Sequence, residues 1–174
     1  MIRKLQPAAG NLFLITGTTP TAREVKKETE RALARCDCGM KPVWLDGLSS
    51  EELRKRLKTV ASRDAVLLIL FNRDKNGRYY SFVESARMVN RHLSAPFYGM
   101  WDFYLGTGMV GGMLASSHDQ GKTAGHLAHQ ILSSGTLPPV ITRSPNRAIV
   151  DYSALEKHGL STKNLPEKTL IRGK

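Results

Sequence analysis

Cysteine is nearly absent: Cys36 and Cys38 are the two thiols in 174 residues. A disulfide across one intervening residue is strained, so the pair makes no disulfide framework. A structural zinc site wants four ligands, and no further Cys or His stands at finger-like spacing from these two. The pair reads as two thiols at a helix end. Long apolar runs are missing too; none approaches the ~18–20 residues of a membrane-spanning helix. Met1–Gly10 is too short and too polar to supply the apolar region of a signal peptide, and its abrupt passage into Asn11 reads as the edge of a longer chain. Acidic residues are scarce: 15 Asp+Glu face 26 Lys+Arg, a net charge of +11. Such an excess raises nucleic acid or an anionic membrane as partners. The basic residues are spread over helix faces (Arg23, Lys26, Lys27, Arg31, Arg35, then Arg54, Lys55, Arg56, Lys58, Arg63) with no interleaved aromatic platform. The pattern reads as a solvated basic surface, with no nucleic-acid partner expected.

Catalytic signatures are lacking as well. There is no phosphate-binding loop and no Gly-x-Ser-x-Gly elbow around any serine. His126 and His129 share a helix face at i, i+3, but no carboxylate or thiol joins them at ligand spacing, so they read as surface histidines rather than a metal site. Gly106-Thr-Gly108-Met-Val-Gly111 has the spacing of a dinucleotide fingerprint. That mechanism needs a strand turning straight into a helix, which Gly111-Gly112 disfavours, and residues 128–133 hold no acid for a ribose. Glycines that let two backbones approach, or that flex between lobes, account for the stretch better.

What is present is a regular alternation of short apolar runs and amphipathic segments, in a chain of one-domain length. Strands are expected at Asn11–Thr16, Pro42–Asp46, Asp64–Phe71, Pro96–Met100, within Met109–Ser116 and at Arg147–Tyr152. Helices are expected from a capping box at Thr21–Glu24 to about Ala34, from a second box at Ser49–Glu52, over Phe82–Leu93, from a third box at Ser117–Gln120 to Leu132, and over Ser153–His158. Asp74–Gly77 is a turn. The βαβαβαβ order up to Met100 implies an α/β fold, a doubly wound, mostly parallel sheet with helices on both faces. Ligands of such sheets bind outside the carboxyl ends of the strands. Those ends carry Thr18, Thr19, Asp46, Asn72, Arg73, Trp101 and Asp102. Thr18 and Thr19 either receive an anion at a helix N-terminus or simply cap the helix. Trp101 and Tyr104 offer flat faces to a ligand ring, or pack a core or hinge. Asp102 meets an amine or hydroxyl, or closes a local turn.

Several of these segments together resemble a known family. A strand ending Pro96-Phe-Tyr98-Gly99 is followed by the glycine-rich Gly108-Met-Val-Gly111-Gly112. Gln120-Gly121 and Ile131-Leu132-Ser-Ser-Gly135 mark the next helix, then Asn146-Arg147, and Gly159-Leu160 to Leu165-Pro166 close the pattern. This resembles the C-terminal part of ABC-transporter substrate-binding proteins and the related extracytoplasmic sensor domains of membrane histidine kinases and cyclic-dinucleotide signalling proteins. The sensor flavour rests on Asn11-Leu-Phe-Leu-Ile-Thr-Gly-Thr-Thr-Pro-Thr21 and Leu45-Asp-Gly-Leu-Ser49.

The resemblance implies a periplasmic-binding-protein-like lobe: residues 1–104 the second lobe, 105–146 a crossing segment whose strand and helix normally serve the other lobe, 147–174 the return. It implies an extracytoplasmic, non-catalytic, cofactor-free small-molecule-binding domain, sensory in the first instance or the solute-binding component of an ABC transporter in the second, and a nucleotide-dependent α/β enzyme only after these. The ligand residues it implies are Thr18, Thr19, Asn72, Arg73, Trp101, Asp102 and Tyr104. Its partners would be a small-molecule ligand and a downstream membrane signalling region or permease; the 118–134 helix, without its native partner here, would dock on its own lobe or exchange with a second copy of the chain.

Overall fold

The computed structural model describes residues 1–36, 39–142 and 144–173. Cys38 lies outside them, and Cys36 is exposed just past a helix end. In chain order the elements are α1 (Ile2–Leu5), β1 (Asn11–Thr16), α2 (Pro20–Ala34), β2 (Lys41–Leu45), α3 (Ser50–Leu57), β3 (Ala65–Leu70), α4 (Phe82–His92), β4 (Phe97–Gly99), β5 (Gly111–Leu114), α5 (Ser117–Ser134), β6 (Arg147–Asp151), α6 (Tyr152–Lys157) and β7 (Leu170–Arg172). One seven-stranded sheet runs β2-β1-β3-β4-β5-β6-β7, parallel except where β5 meets β6. The chain first moves outward from β1 to β2, then jumps back over β1 to β3. Right-handed crossovers therefore put α2 and α3 on opposite faces.

The two faces are read out by the period-2 alternation along β3. Val66 and Leu68 join Leu53, Leu57, Ala86, Val89 and Leu93, from α3, α4 and the end of α4. Ala65 and Ile69 join Leu5, Ala22, Ala154 and Leu155, from α1, α2 and α6. Residues 65–71 are apolar throughout because this central strand is covered on both sides. Each Leu or Ile so buried contributes about 1.5–3 kcal/mol.

Caps explain where helices begin. Ser49 and Ser81 form complete capping boxes with Glu52 and Glu84. Two expected boxes are displaced. The N-cap of α2 is Thr19, which accepts from Ala22 N–H at 3.2 Å and sets Pro20 at the first helical position, where its missing N–H costs nothing. The N-cap of α5 is Ser116, which accepts from Asp119 N–H at 3.3 Å. The short α1 and β7 carry too little periodicity to be read from the sequence.

Gly111-Gly112 leads a strand, not a helix, so the dinucleotide mechanism has no structural basis here. A Cβ on Gly112 would stand 2.0 Å from the Gly99 carbonyl oxygen, so glycine is what lets β5 close on β4. Of the 105–146 segment, β5 belongs to this sheet and α5 leaves it. None of the 18 residues of α5 is buried. The helix is tethered at its start by the Arg147–Asp119 ion pair (2.9 Å) and a Gln120–Ser144 hydrogen bond (2.7 Å). It ends at Gly135 in the left-handed conformation. Docking of this helix on its own lobe is thus not what the structure has.

Candidate functional site

The carboxyl ends of β1 and β3 flank the point where strand order reverses, the position at which open α/β sheets bind ligands. Gly17 is required there: a Cβ would lie 2.6 Å from the Arg73 carbonyl oxygen, where the 72–80 hairpin crosses the end of β1. Thr18 fastens that crossing, its N–H donating to Arg73 O (3.0 Å) and its hydroxyl to Asp74 O (3.0 Å). Thr19 is the helix cap. With Ala22 N–H taken by Thr19 and no N–H on Pro20, the start of α2 has few donors left for an anion. Both threonines therefore have structural work at the rim, and Thr18 stays partly exposed there.

Asp74 organises the hairpin. Its carboxylate accepts from the backbone N–H of Ser50 (3.1 Å), Asn76 (2.9 Å) and Arg78 (3.0 Å) and from the Tyr80 hydroxyl (3.3 Å). Burial alone would raise its pKa, but those donors outweigh burial and hold it below the ordinary value. Sequence reasoning read this residue as the first position of a turn. The Asp-x-Asn-Gly pattern signalled the turn, whereas its link to the start of α3, 24 positions back in the chain, had no local signal. Beside it, Asn72 Oδ1 is buried with no hydrogen-bond partner among the described residues, and the Arg73 guanidinium lies over the Tyr79 ring at 5.1 Å.

The end of β4 supplies an aromatic strip. Trp101 donates its indole N–H to Ile69 O (3.1 Å) and stacks on Phe103 (5.8 Å, 7°), which stacks in turn on Phe82 (4.4 Å, 23°). All three rings are partly exposed. Tyr104 is not among them, and its expected place beside a ligand is corrected. It is fully buried, edge-on to Phe103 and Phe82, and burial raises its hydroxyl pKa, the Ser85 side chain opposing. Asp102–Tyr104 is a 3-10 turn, in which successive side chains point about 120° apart. Phe103 therefore faces outward where Tyr104 was expected. Asp102 is partly exposed at the head of this turn, its backbone N–H bound to Ala115 O.

Next to the rim, a cavity of about 290 Å³ opens over β1 and β2, lined by Thr16, Gly17, Arg23, Lys26 and Asp46 among others. Lys26 and Asp46 pair across it at 2.5 Å. The edge thus brings together Thr18, Thr19, Asn72, Arg73, Trp101 and Asp102. It offers hydroxyl, amide, cationic, anionic and aromatic groups, but no nucleophile held by a base. Among the described residues no three His, Cys, Asp or Glu side chains group as metal ligands.

No family model matches the chain, and no curated protein matches it by sequence. Solved structures do. A substrate-binding protein with adhesive properties from Clostridium difficile, in a ligand-free, open structure, superposes over 98% of this chain with a TM-score of 0.71 and 17% identity. The chain shares the α/β fold of that structure over the matched region. An ABC domain in complex with L-Trp from Streptococcus pneumoniae matches 98% of this chain (TM-score 0.67, 16% identity), as does a conserved domain protein from Vibrio cholerae (TM-score 0.63, 16% identity). In each case the chain spans 56–58% of the length of the neighbour.

Proposed function

We propose that this chain is the second lobe, with its crossing segment, of a non-catalytic, two-lobed small-molecule-binding protein working outside the cytoplasm, with its ligand held against the carboxyl edge. The observation that carries this reading is the convergence of Thr18, Asn72, Arg73, Trp101 and Asp102 on that edge, at the strand-order reversal, in a fold shared with substrate-binding proteins. Half of a cleft is what one lobe offers. A second lobe closing over the rim would bury the ligand and shift the protein to a closed state. In a sensory protein that closure passes to a downstream membrane signalling region; in a transporter it presents the solute to a permease. The structural neighbours, one a substrate-binding protein and one an ABC domain, favour the second setting, and the strand-1 and strand-2 sequences quoted above favour the first. No helix among the described residues is long and apolar enough to cross a membrane. The exposed apolar side chains of Leu132, Leu137 and Val140 on and after α5 supply a face for the second lobe or for a second copy of the chain.

The test is a thermal-shift screen of the protein against amino acids including tryptophan, small carboxylates, aromatic metabolites and nucleotide cofactors. A ligand at ~100 times its dissociation constant stabilises by about 2.7 kcal/mol. A metabolite hit that Arg73→Gln and Asp102→Asn weaken supports the proposal. Stabilisation by a nucleotide cofactor instead, indifferent to both substitutions, overturns it in favour of an enzyme.

A further inference from the structure

A second concavity lies on the α3–α4 face of the sheet. It has a volume of about 420 Å³ and is lined by Arg54, Arg78, Tyr80, Glu84, Arg87, Met88, Arg91 and His92. Four guanidinium groups enter it from three separate stretches of chain. Arg54 comes from α3 and Arg78 from the hairpin, while Arg87 and Arg91 lie on one flank of α4 at i, i+4, with Glu84 and Met88 in the same helical rows. Like charges gathered in one concavity repel unless something neutralises them.

The chain supplies little to do so. Glu84 is the one carboxylate in the lining; its Oε2 accepts from the Ser81 N–H at 2.8 Å and its charge acts on Arg78, so one negative charge faces four guanidinium groups. Among the described residues Arg54, Arg87 and Arg91 form no ion pair. Arg78 lies over the Tyr80 ring, 5.3 Å from its centroid, a contact that leaves its positive charge in place. Arg54 enters the groove as a half-buried side chain whose Nε has no hydrogen-bond acceptor among the described residues, so no carboxylate offsets its charge from behind. The planar fork of a guanidinium fits an oxyanion.

We propose that this groove binds a compact phosphate-bearing anion carrying two or more negative charges. Guanidinium forks recognise phosphate oxygens in paired, charge-assisted hydrogen bonds. A single carboxylate would leave most of the positive charge unbalanced, whereas a diphosphate reaches several forks at once. Tyr80 and the floor at Met88 give an apolar wall for whatever the phosphate is attached to. None of Thr18, Thr19, Asn72, Arg73, Trp101 and Asp102 lines the groove, although Arg78 and Tyr80 stand on the hairpin that also carries Asn72 and Arg73.

The experiment is calorimetric titration of the protein with inorganic pyrophosphate in about 0.1 M salt, where charges more than about 10 Å apart are largely screened. A parallel arm uses vesicles of phosphatidylcholine with and without phosphatidylglycerol. Saturable binding is expected that weakens at least about tenfold in Arg54→Gln/Arg91→Gln and in the fully surface pair Arg87→Gln/Arg91→Gln. It should stay within about twofold in Lys27→Gln/Arg31→Gln, which removes equal charge from α2. The second pair keeps the test decisive if loss of Arg54 impairs folding. The same variant order with pyrophosphate assigns a soluble ligand, and with anionic vesicles alone a lipid headgroup. Equal losses in all three variants, or no saturable binding in either arm, overturn the proposal.

Discussion

Asp74 ties a turn to a helix start with one carboxylate. It accepts four hydrogen bonds from two segments: from the Ser50 N–H at the start of α3, from the Asn76 and Arg78 N–H groups of the hairpin, and from the Tyr80 hydroxyl. Asp74→Ala leaves the Ser50 N–H unpaired in a buried place and two part-buried N–H groups without their acceptor, and a loss of about 3 kcal/mol is expected in urea unfolding. A loss under about 0.5 kcal/mol would show that the hairpin holds without it. The pH dependence follows from the direction of the shift. The folded carboxyl sits below its unfolded value of about 3.9, so its contribution is complete above that value and disappears as the pH falls through the lower folded one. The stability gap between the wild type and Asp74→Asn should therefore narrow below about pH 4. At this scale the sequence was readable where chemistry is local. Asp-x-Asn-Gly announces a turn, and Ser-x-x-Glu a cap. It was not readable where neighbours in the chain differ in burial, as half-buried Phe103 and buried Tyr104 do.

Elements are joined here by close backbone approach. β4 is three residues long and β5 four, so their pairing depends on how near the two backbones come. Gly112→Ala places a methyl 2.0 Å from a carbonyl oxygen of β4. That atom is backbone and cannot swing aside, so the strands must part. A destabilisation of about 2 kcal/mol or more is expected in denaturant unfolding. The matching change at Gly121, where a Cβ meets nothing within 4 Å, should instead be neutral or stabilising by up to about 1 kcal/mol through helix propensity. Equal effects at the two sites would mean that the Gly112 contact is not limiting. α5 shows the opposite limit, an amphipathic helix without a partner. Its periodicity revealed the helix and its apolar face, because those depend on spacing alone, but spacing does not say what lies opposite.

The molecule as a whole carries +11 in 174 residues. Its exposed ion pairs, such as Lys27–Glu24 and Lys55–Glu51, are too screened to offset that repulsion. Self-repulsion of a net charge destabilises the compact state, and added salt relieves it. Raising sodium chloride from about 0.05 to 0.5 M should raise the melting temperature by a few degrees, about 2–4 °C per kcal/mol gained at this size. A fall on scanning calorimetry would mean that the ion pairs outweigh the net charge. The same charge was read from the sequence as an evenly solvated surface. Folding instead draws Arg54, Arg78, Arg87 and Arg91 into one groove, a grouping that depends on α3 and α4 sharing a face of the sheet.

Element order, the doubly wound parallel sheet and the residues that stand on its carboxyl edge all follow from the residues in a line, because hydrophobic period and cap chemistry act over a few positions and crossover handedness then fixes topology. The strand order beyond β4, the antiparallel β5–β6 pairing, the inward turn of Tyr104, the four-way clasp on Asp74 and the arginine groove came from packing. Each joins residues far apart in the chain or turns adjacent ones apart, and the geometry that brings them together exists once the two layers have closed on the sheet.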